Sequence, residues 1–540
     1  MLITVFLIGI ASFLIAYKIY GDKLNKKYDI LDKNKTPAHT MRDGVDYVPA
    51  RVSVLFGHHF SSIAGAGPIV GPILAASLFG WLPAVIWIIL GAIFIGGVHD
   101  FSAIVASIRH KARSIAEIAK DYISKNAYLM FLIFIWLSLV YVLIVFLDLT
   151  ATTFALNGGV ATASIIYIAL AILFGFSLYK MRLNLAISTI IFVLFIFLSV
   201  WFGNLHKLTI PGLILNDPKK TWGVILLTYA FIASVTPVWI LLQPRDYLSS
   251  FLLYSSVLVG IIGILFGGFN INYPAFTKFS VNNQTLFPIL FVTIACGAIS
   301  GFHSLVSSGT TSKQLNKETD ARKIGYGAML MEGVVALIAL STIMILSKDS
   351  SLIKTGGLKI YGKGIGNFLG VLGIKHSIGE TFGLLVLSTF LLTTLDTATR
   401  LARYVLQELF SLEIKRTRFF ATFITLILPA IFALITLKDP QGRIIPAWKA
   451  IWPVFGATNQ LLAALTLLVI SVWLIKTKKN ALFTIIPLIF MLVVTLTALI
   501  ELLLQYKFTV IGIIAGVLLL LALYLIVEAY RTLKKIKISY

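Results

Sequence analysis

Long apolar runs alternate with short polar segments along the whole chain. A helix needs about 20 apolar residues to cross a bilayer. On that measure we expect about fifteen spans, at 2–20, 54–79, 83–108, 127–156, 160–179, 183–203, 221–243, 248–269, 287–311, 324–347, 379–406, 418–437, 449–475, 481–504 and 508–530. The second run organises the rest, because its centre reads Ile63-Ala64-Gly65-Ala66-Gly67-Pro68-Ile69-Val70-Gly71-Pro72. Pro removes a backbone donor and Gly lacks a side chain to hold a conformation, so a helix is hard to sustain there. Unpaired backbone at membrane depth survives only inside protein or beside a water-filled cavity. The stretch therefore predicts a broken helix whose freed amides and carbonyls face a site. The competing reading is a small-residue packing face, with Gly67 and Gly71 at GxxxG spacing. A phosphate-binding glycine loop is excluded, since that motif follows a strand and none is visible.

Tyr229–Pro244, YAFIASVTPVWILLQP, predicts a second interruption at Pro237. It is the sixth span counted from the first interruption and runs in the opposite direction. Broken first helices that meet at the midplane in a five-plus-five inverted repeat have this relation. We therefore expect an all-α polytopic membrane protein with an N-terminal span and basic loop (1–53), a ten-helix transport core (54–406) and accessory C-terminal helices (407–540).

Composition agrees. The 540 residues are 58% hydrophobic and 12% charged, too little charge for the surface of a soluble fold. The net charge of +23 invites a nucleic-acid reading, but Lys and Arg concentrate in alternate loops, among them 23–51, 109–120, 313–323, 415–418 and 476–479. That alternation follows the positive-inside rule with the N-terminus outside, and it makes anionic lipids, not nucleic acid, the partners of the basic face. Met1–Tyr20 lacks a basic n-region and reads as a retained span. Cys296, the one cysteine, excludes an intramolecular disulfide.

Ionisable groups inside spans cost at least ~2.5–3.5 kcal/mol each and are functional candidates. They are Asp100 beside His99, His303 in GFHSLVSSGTT, Glu332, and Asp396, which has Arg400 at i+4 as an expected ion-pair partner. Asp148 lies near an outer end and is expected to be interfacial. With His58 and His59 at the inner end of the broken span, these groups form the candidate proton-coupling set. Adjacent histidines point in different directions, which argues against a metal, and no cofactor is expected. The outer half-helix starting near Gly67–Gly71 would present freed amides to a substrate carboxylate. Gly65, Ala66, Ser61, Ser62, Thr236, Trp239 and Gln243 would complete a small polar pocket.

Several strings resemble the carbon-starvation protein (CstA) family: DGVDYVP (43–49), FGHHFSSIAGAGPIVGP (56–72), VHDF (98–101), PVWILLQPRDYL (237–248), GFHSLVSSGTTSKQL (301–315), TTLDTATRLARYVLQEL (393–409) and IWPVFGATNQLLAALTL (451–467). The resemblance implies a secondary transporter of the prokaryotic inner membrane that takes up short peptides or pyruvate during nutrient limitation, coupled to protons. It also implies the leucine-transporter-like inverted repeat of the amino acid–polyamine–organocation group. His99 stands where longer members usually carry Gln, and 468–540 holds no recognised motif. Other functions remain open at this level. A sodium symporter would use Thr393, Thr394 and Thr397 as hard oxygen ligands. A channel or a receptor would need no coupling group. No HExxH or GxGD pattern supports an intramembrane enzyme.

Overall fold

The computed structural model describes residues 1–538 apart from 44–45, 238–239, 282–283, 413 and 439–443. Among these, twelve helices are long and apolar enough to cross a membrane, and the bent pair Val52–Ile63 and Gly67–Phe79 makes a thirteenth crossing. Two expected spans remain. One is the helix Pro218–Val235; the other, 286–314, is divided into short helices.

In chain order the main helices are α1 (Leu2–Lys27), α2 (Val52–Ile63), α3 (Gly67–Phe79), α4 (Trp81–Arg109), α5 (Lys125–Leu156), α6 (Gly158–Tyr179), α7 (Leu185–Leu205), α8 (Pro218–Val235) and α9 (Leu242–Phe266). They continue with α10 (Leu286–Thr293), α11 (Phe302–Val306, extended by Ser307–Thr311 and Ser312–Gln314), α12 (Arg322–Met344), α13 (Gly357–Gly370) and α14 (His376–Leu409). The last four are α15 (Ile414–Leu434), α16 (Ala447–Lys476), α17 (Leu482–Tyr506) and α18 (Val510–Ile538). Two short antiparallel ribbons, Ser280–Val281 with Gln284–Thr285 and Leu437–Lys438 with Ile444–Ile445, cap loops.

The first expected break is present. Ala64 leaves helical geometry at φ −73°, ψ 72°, and α3 restarts with Pro68 in its first turn, where a missing amide costs little. The two halves are bent by 44°. The expected break at Pro237 differs. α8 stops at Val235 and α9 starts afresh at Leu242, so Pro237 separates two helices instead of interrupting one. The opening that meets the first break lies at 294–301, where Gly297 at φ +88° holds a left-handed conformation suited to a residue without a side chain. Three helices, α6 to α8, separate α5 from α9, so this opening belongs to the eighth crossing counted from the first break, not the sixth. α6 and α7 form a hairpin whose backbones touch at Gly159 and Gly203.

α2–α3 and α10–α11 run antiparallel. Ala50 at the start of the first bonds Gln314 at the end of the second, while the amides of Trp81 and Leu82 beyond the first bond Pro274 and Ala275 before the second. α4 packs along α12, and the long helices α5 and α14 pack along each other. Loops expected on the basic face contact one another: Arg109 pairs with Glu318 at 2.5 Å, Lys479 with Asp29 at 3.1 Å, and Ser124 bonds Glu528 at 2.9 Å. These contacts gather the loops around 29, 109–124, 318 and 479 and the stretch at 528 at one end of the helix bundle.

Candidate functional site

The two openings meet face to face. A methyl group on Gly67 would overlap the Cys296 side chain, and one on Gly71 would fall 2.5 Å from the Thr293 carbonyl oxygen. Gly65 faces the Phe146 ring of α5 and the Thr394 hydroxyl of α14. Phe146 in turn packs on Phe455 of α16, with ring centroids 5.8 Å apart. Gly65, Gly67 and Gly71 of the expected site residues are thus packed closely against the facing opening and its neighbouring helices.

One set of buried groups lies on α4, α11 and α12. The Asp100 carboxylate takes hydrogen bonds from His99 Nδ1 and His303 Nδ1, each at 2.7 Å. The far side of the His303 ring, Nε2, lies 3.1 Å from Glu332 Oε2, close enough for an ion pair although not aligned as a hydrogen bond. All four side chains are 0% exposed. A carboxylate only accepts, so geometry assigns a proton to Nδ1 of both rings. The gap between His303 Nε2 and Glu332 must then hold a further proton on one side or the other, since otherwise a lone pair would face a carboxylate. His59 Nδ1 lies 2.8 Å from Thr311 Oγ1, on the same helix as His303. Each helix carries a π-helical turn near its contribution: Ala92–Gly96 before Asp100, Ser307–Thr311 after His303 and Arg322–Tyr326 before Glu332. Such turns shift a helix face by one residue and gather at functional sites. Gly96 and Gly97 let α4 approach the Ala298 carbonyl and the Tyr326 ring closely enough to bring these groups together.

A second set lies on α8, α9 and α14. Arg245, fully buried, pairs with Asp396 and with Asp246 Oδ1 at 3.1 Å, and it donates to the Tyr229 hydroxyl at 2.9 Å. Tyr229 donates to Asp396 Oδ2 at 2.8 Å, and Tyr167 donates to the Arg245 carbonyl at 2.6 Å. His58 faces this set, 4.0 Å from Asp246. The adjacent histidines thus serve different clusters, as their directions on a helix require.

The expected i,i+4 pair between Asp396 and Arg400 is not formed. Asp396 is taken by Arg245, and Arg400 donates to the carbonyls of Ala233 and Thr236 at 2.7 and 2.6 Å. Arg403 joins it on the Ser234 carbonyl at 2.8 Å. The orphan carbonyls at the end of α8 need donors, and buried guanidinium groups meet that need better than a pair on their own helix.

Of the expected pocket residues, Ser61 donates to the carbonyls of His58 and Asp246 at 3.1 and 3.4 Å, and Ser62 to His58 at 2.7 Å. Thr236 turns back on the Ile232 carbonyl at 2.7 Å and Gln243 is exposed, so the side chains meeting the break come from α5, α14 and the 294–301 opening instead. Trp239 lies outside the described residues. Thr393 is committed to the Thr389 carbonyl at 2.8 Å, whereas the hydroxyls of Thr394 and Thr397 have no hydrogen-bond partner among the described residues. Among those residues no group of three or more His, Cys, Asp or Glu could hold a metal. Asp148 is structural: it pairs with Lys219 at 2.7 Å and accepts from the Trp448 amide at 3.0 Å. Sequence reading missed Arg245 and Asp246, which fall in the short segment between the expected spans 221–243 and 248–269. The available signal was Pro244, a helix-starting residue, immediately before them.

Broken helices and ionisable groups buried among apolar spans define a multi-pass membrane protein with a polar centre. The chain belongs to the carbon starvation protein CstA family, whose profile matches residues 1–353 and 346–498. It is 32% identical to the peptide transporter CstA of Bacillus subtilis, over 91% of this chain and 89% of that one. It is 33% identical to the peptide transporter CstA of Escherichia coli, over 91% and 79%. Against the pyruvate/proton symporter BtsT of Escherichia coli the identity is 32%, over 91% and 80%. Among solved structures, a manganese transporter of Eremococcus coleocola aligns at a TM-score of 0.44 and 13% identity, over 91% of this chain and 99% of that one.

Proposed function

We propose that the protein is a secondary active transporter that imports a small carboxylate-bearing nutrient, pyruvate or a short peptide, together with protons. The observation that carries this reading is the buried chain His99–Asp100–His303–Glu332, with a proton position between His303 and Glu332, beside two interrupted helices. A group that must gain and lose a proton in each cycle belongs in such a place. Relatives named as peptide transporters and as a pyruvate/proton symporter support the substrate class and the coupling ion.

The inverted repeat is re-registered: its halves are 52–266 and 286–476, with α6–α7 inserted in the first. The core then reaches past 406 to include α15 and α16, so that of the C-terminal helices only α17 and α18 remain accessory. Alternating access follows from movement of the two bundles about the meeting point of the breaks. The basic face lies in the cytoplasm of a prokaryotic cell, with the N-terminus outside and anionic lipids against it.

Purified protein in proteoliposomes tests the reading. An inward proton gradient should drive accumulation of labelled pyruvate or dipeptide, and an uncoupler should abolish it. Uphill accumulation that survives the uncoupler refutes the proton coupling.

A further inference from the structure

We infer that Arg245 is the counter-ion that receives the substrate's carboxylate, and that Asp396 holds its place while the site is empty. The inference rests on the proposed function and names the group that recognises the substrate. Arg245 is among the largest fully buried side chains of the protein, and it faces two carboxylates, on Asp396 and Asp246. The set is incomplete: Arg245 Nε, Asp246 Oδ2 and Asp396 Oδ1 are buried without a hydrogen-bond partner among the described residues. A buried ion pair kept only for stability is expected to satisfy these atoms, because each one left open is costly. A pair that exchanges partners leaves them open.

The position fits. The first turn of α9, which carries Arg245, packs on the inner half-helix α2, where Ser61 donates to the Asp246 carbonyl at 3.4 Å. Thr394, two positions before Asp396, faces Gly65 at the break, and its hydroxyl has no hydrogen-bond partner among the described residues. A carboxylate entering between Gly65 and α14 thus finds a free hydroxyl and then the guanidinium, which binds carboxylates in a two-pronged geometry.

Charge conservation ties this exchange to a proton. The charged and titratable groups around Asp396 are Arg245 and Asp246 on α9, Tyr229 on α8, Tyr167 on α6, His58 on α2 and Arg400 on its own helix. When the substrate takes Arg245, Asp396 loses its counter-ion and accepts on its carboxylate the entering proton, handed on from the His303–Glu332 set. One anion and one proton arrive, so the buried charge is unchanged. On release the proton leaves Asp396 and Arg245 returns to it.

The test is binding of pyruvate, of dialanine and of the amide of each to purified protein in nanodiscs, at acidic and at neutral pH. The wild type should bind the acids, reject the amides, and bind more tightly at acidic pH. Asp396→Asn should bind the acids at neutral pH as tightly as the wild type does at acidic pH, with no further gain on acidification. The double variant Arg245→Gln/Asp396→Asn removes that ion pair as a unit, so Asp396 is not left unpaired, and Asp246 keeps His58 at 4.0 Å. It should lose roughly 10- to 100-fold in affinity while remaining folded by thermal melting. Wild-type affinity in the double variant, or wild-type pH dependence in Asp396→Asn, overturns the assignment and leaves proton-coupled import standing. A wild type that binds neither acid overturns both.

Discussion

Replacing Asp100 with Asn isolates the proton-carrying role of the first cluster. The carboxylate now accepts two hydrogen bonds, from His99 and His303, each at 2.7 Å. An amide of the same shape keeps one acceptor and turns two donors toward the other ring. Hydrogen bonds to a charged group contribute about 1.5–3 kcal/mol each, so one lost bond plus one opposed donor costs roughly 2–4 kcal/mol. The larger consequence is for His303. Its protonated form loses the charge that stabilises it on one side and keeps only Glu332 on the other. A loss of about 3 kcal/mol corresponds to roughly 100-fold in proton occupancy. Proton-driven accumulation in proteoliposomes should therefore fall to the level without a gradient. Counterflow exchange of labelled for unlabelled substrate needs no net proton movement and should persist. Asp100→Asn protein that still accumulates substrate uphill would refute the proton assignment. Loss of both activities in a variant that melts like the wild type would refute the separation of coupling from binding.

Other expectations follow from the same geometry. Gly67→Ala places a methyl group on Cys296 and should destabilise the protein by about 1–3 kcal/mol and block transport; Gly67→Ala/Cys296→Ala should recover part of both, and no recovery would mean that the two openings do not meet. On the basic face Glu318 accepts from Arg109 Nε at 2.5 Å, the Leu31 amide at 3.0 Å and Asn34 Nδ2 at 2.5 Å. Glu318→Ala should raise amide hydrogen exchange at 28–36 by at least tenfold, and unchanged exchange would show that this latch does not hold the loop. His110, just beyond the end of α4, is kept neutral by burial, which lowers its pKa. The unfolded chain therefore binds a proton there more readily than the folded one. Stability should fall as pH drops below the ordinary histidine value near 6.5, and His110→Phe should flatten that part of a melting-temperature profile. An identical profile would assign the acid sensitivity elsewhere.

The membrane-spanning helices were largely legible because their signal is local: apolar length decides a span, and Lys and Arg decide its direction. The first break was legible for the same reason, since Gly65, Gly67 and Pro68 act on their own backbone. Its partner was not. The opening at 294–301 has two glycines and no proline, a weaker local mark than Pro237, and the packing of Gly67 on Cys296 and of Gly71 on Thr293 identifies it. Counting helices could not replace that contact, because an inserted hairpin keeps the direction of every later span and changes only its rank. In the site, Asp100, His303 and Glu332 stood out by their cost in an apolar run, and the fold brings them together. Arg245 escaped notice because an Arg after a span end is ordinarily a loop charge, and Arg400 was assigned to Asp396 because helix spacing allows that pair. Tertiary contacts decided both, and sequence spacing carries no trace of them.

The central claim is that solute and proton enter together through this buried set. It is tested most directly by recording the luminal pH of proteoliposomes, loaded with a pH-sensitive dye, as pyruvate or dialanine is added outside without any imposed gradient. The account predicts luminal acidification that follows substrate uptake in proportion and disappears in Asp100→Asn. Uptake with no change in luminal pH would contradict it.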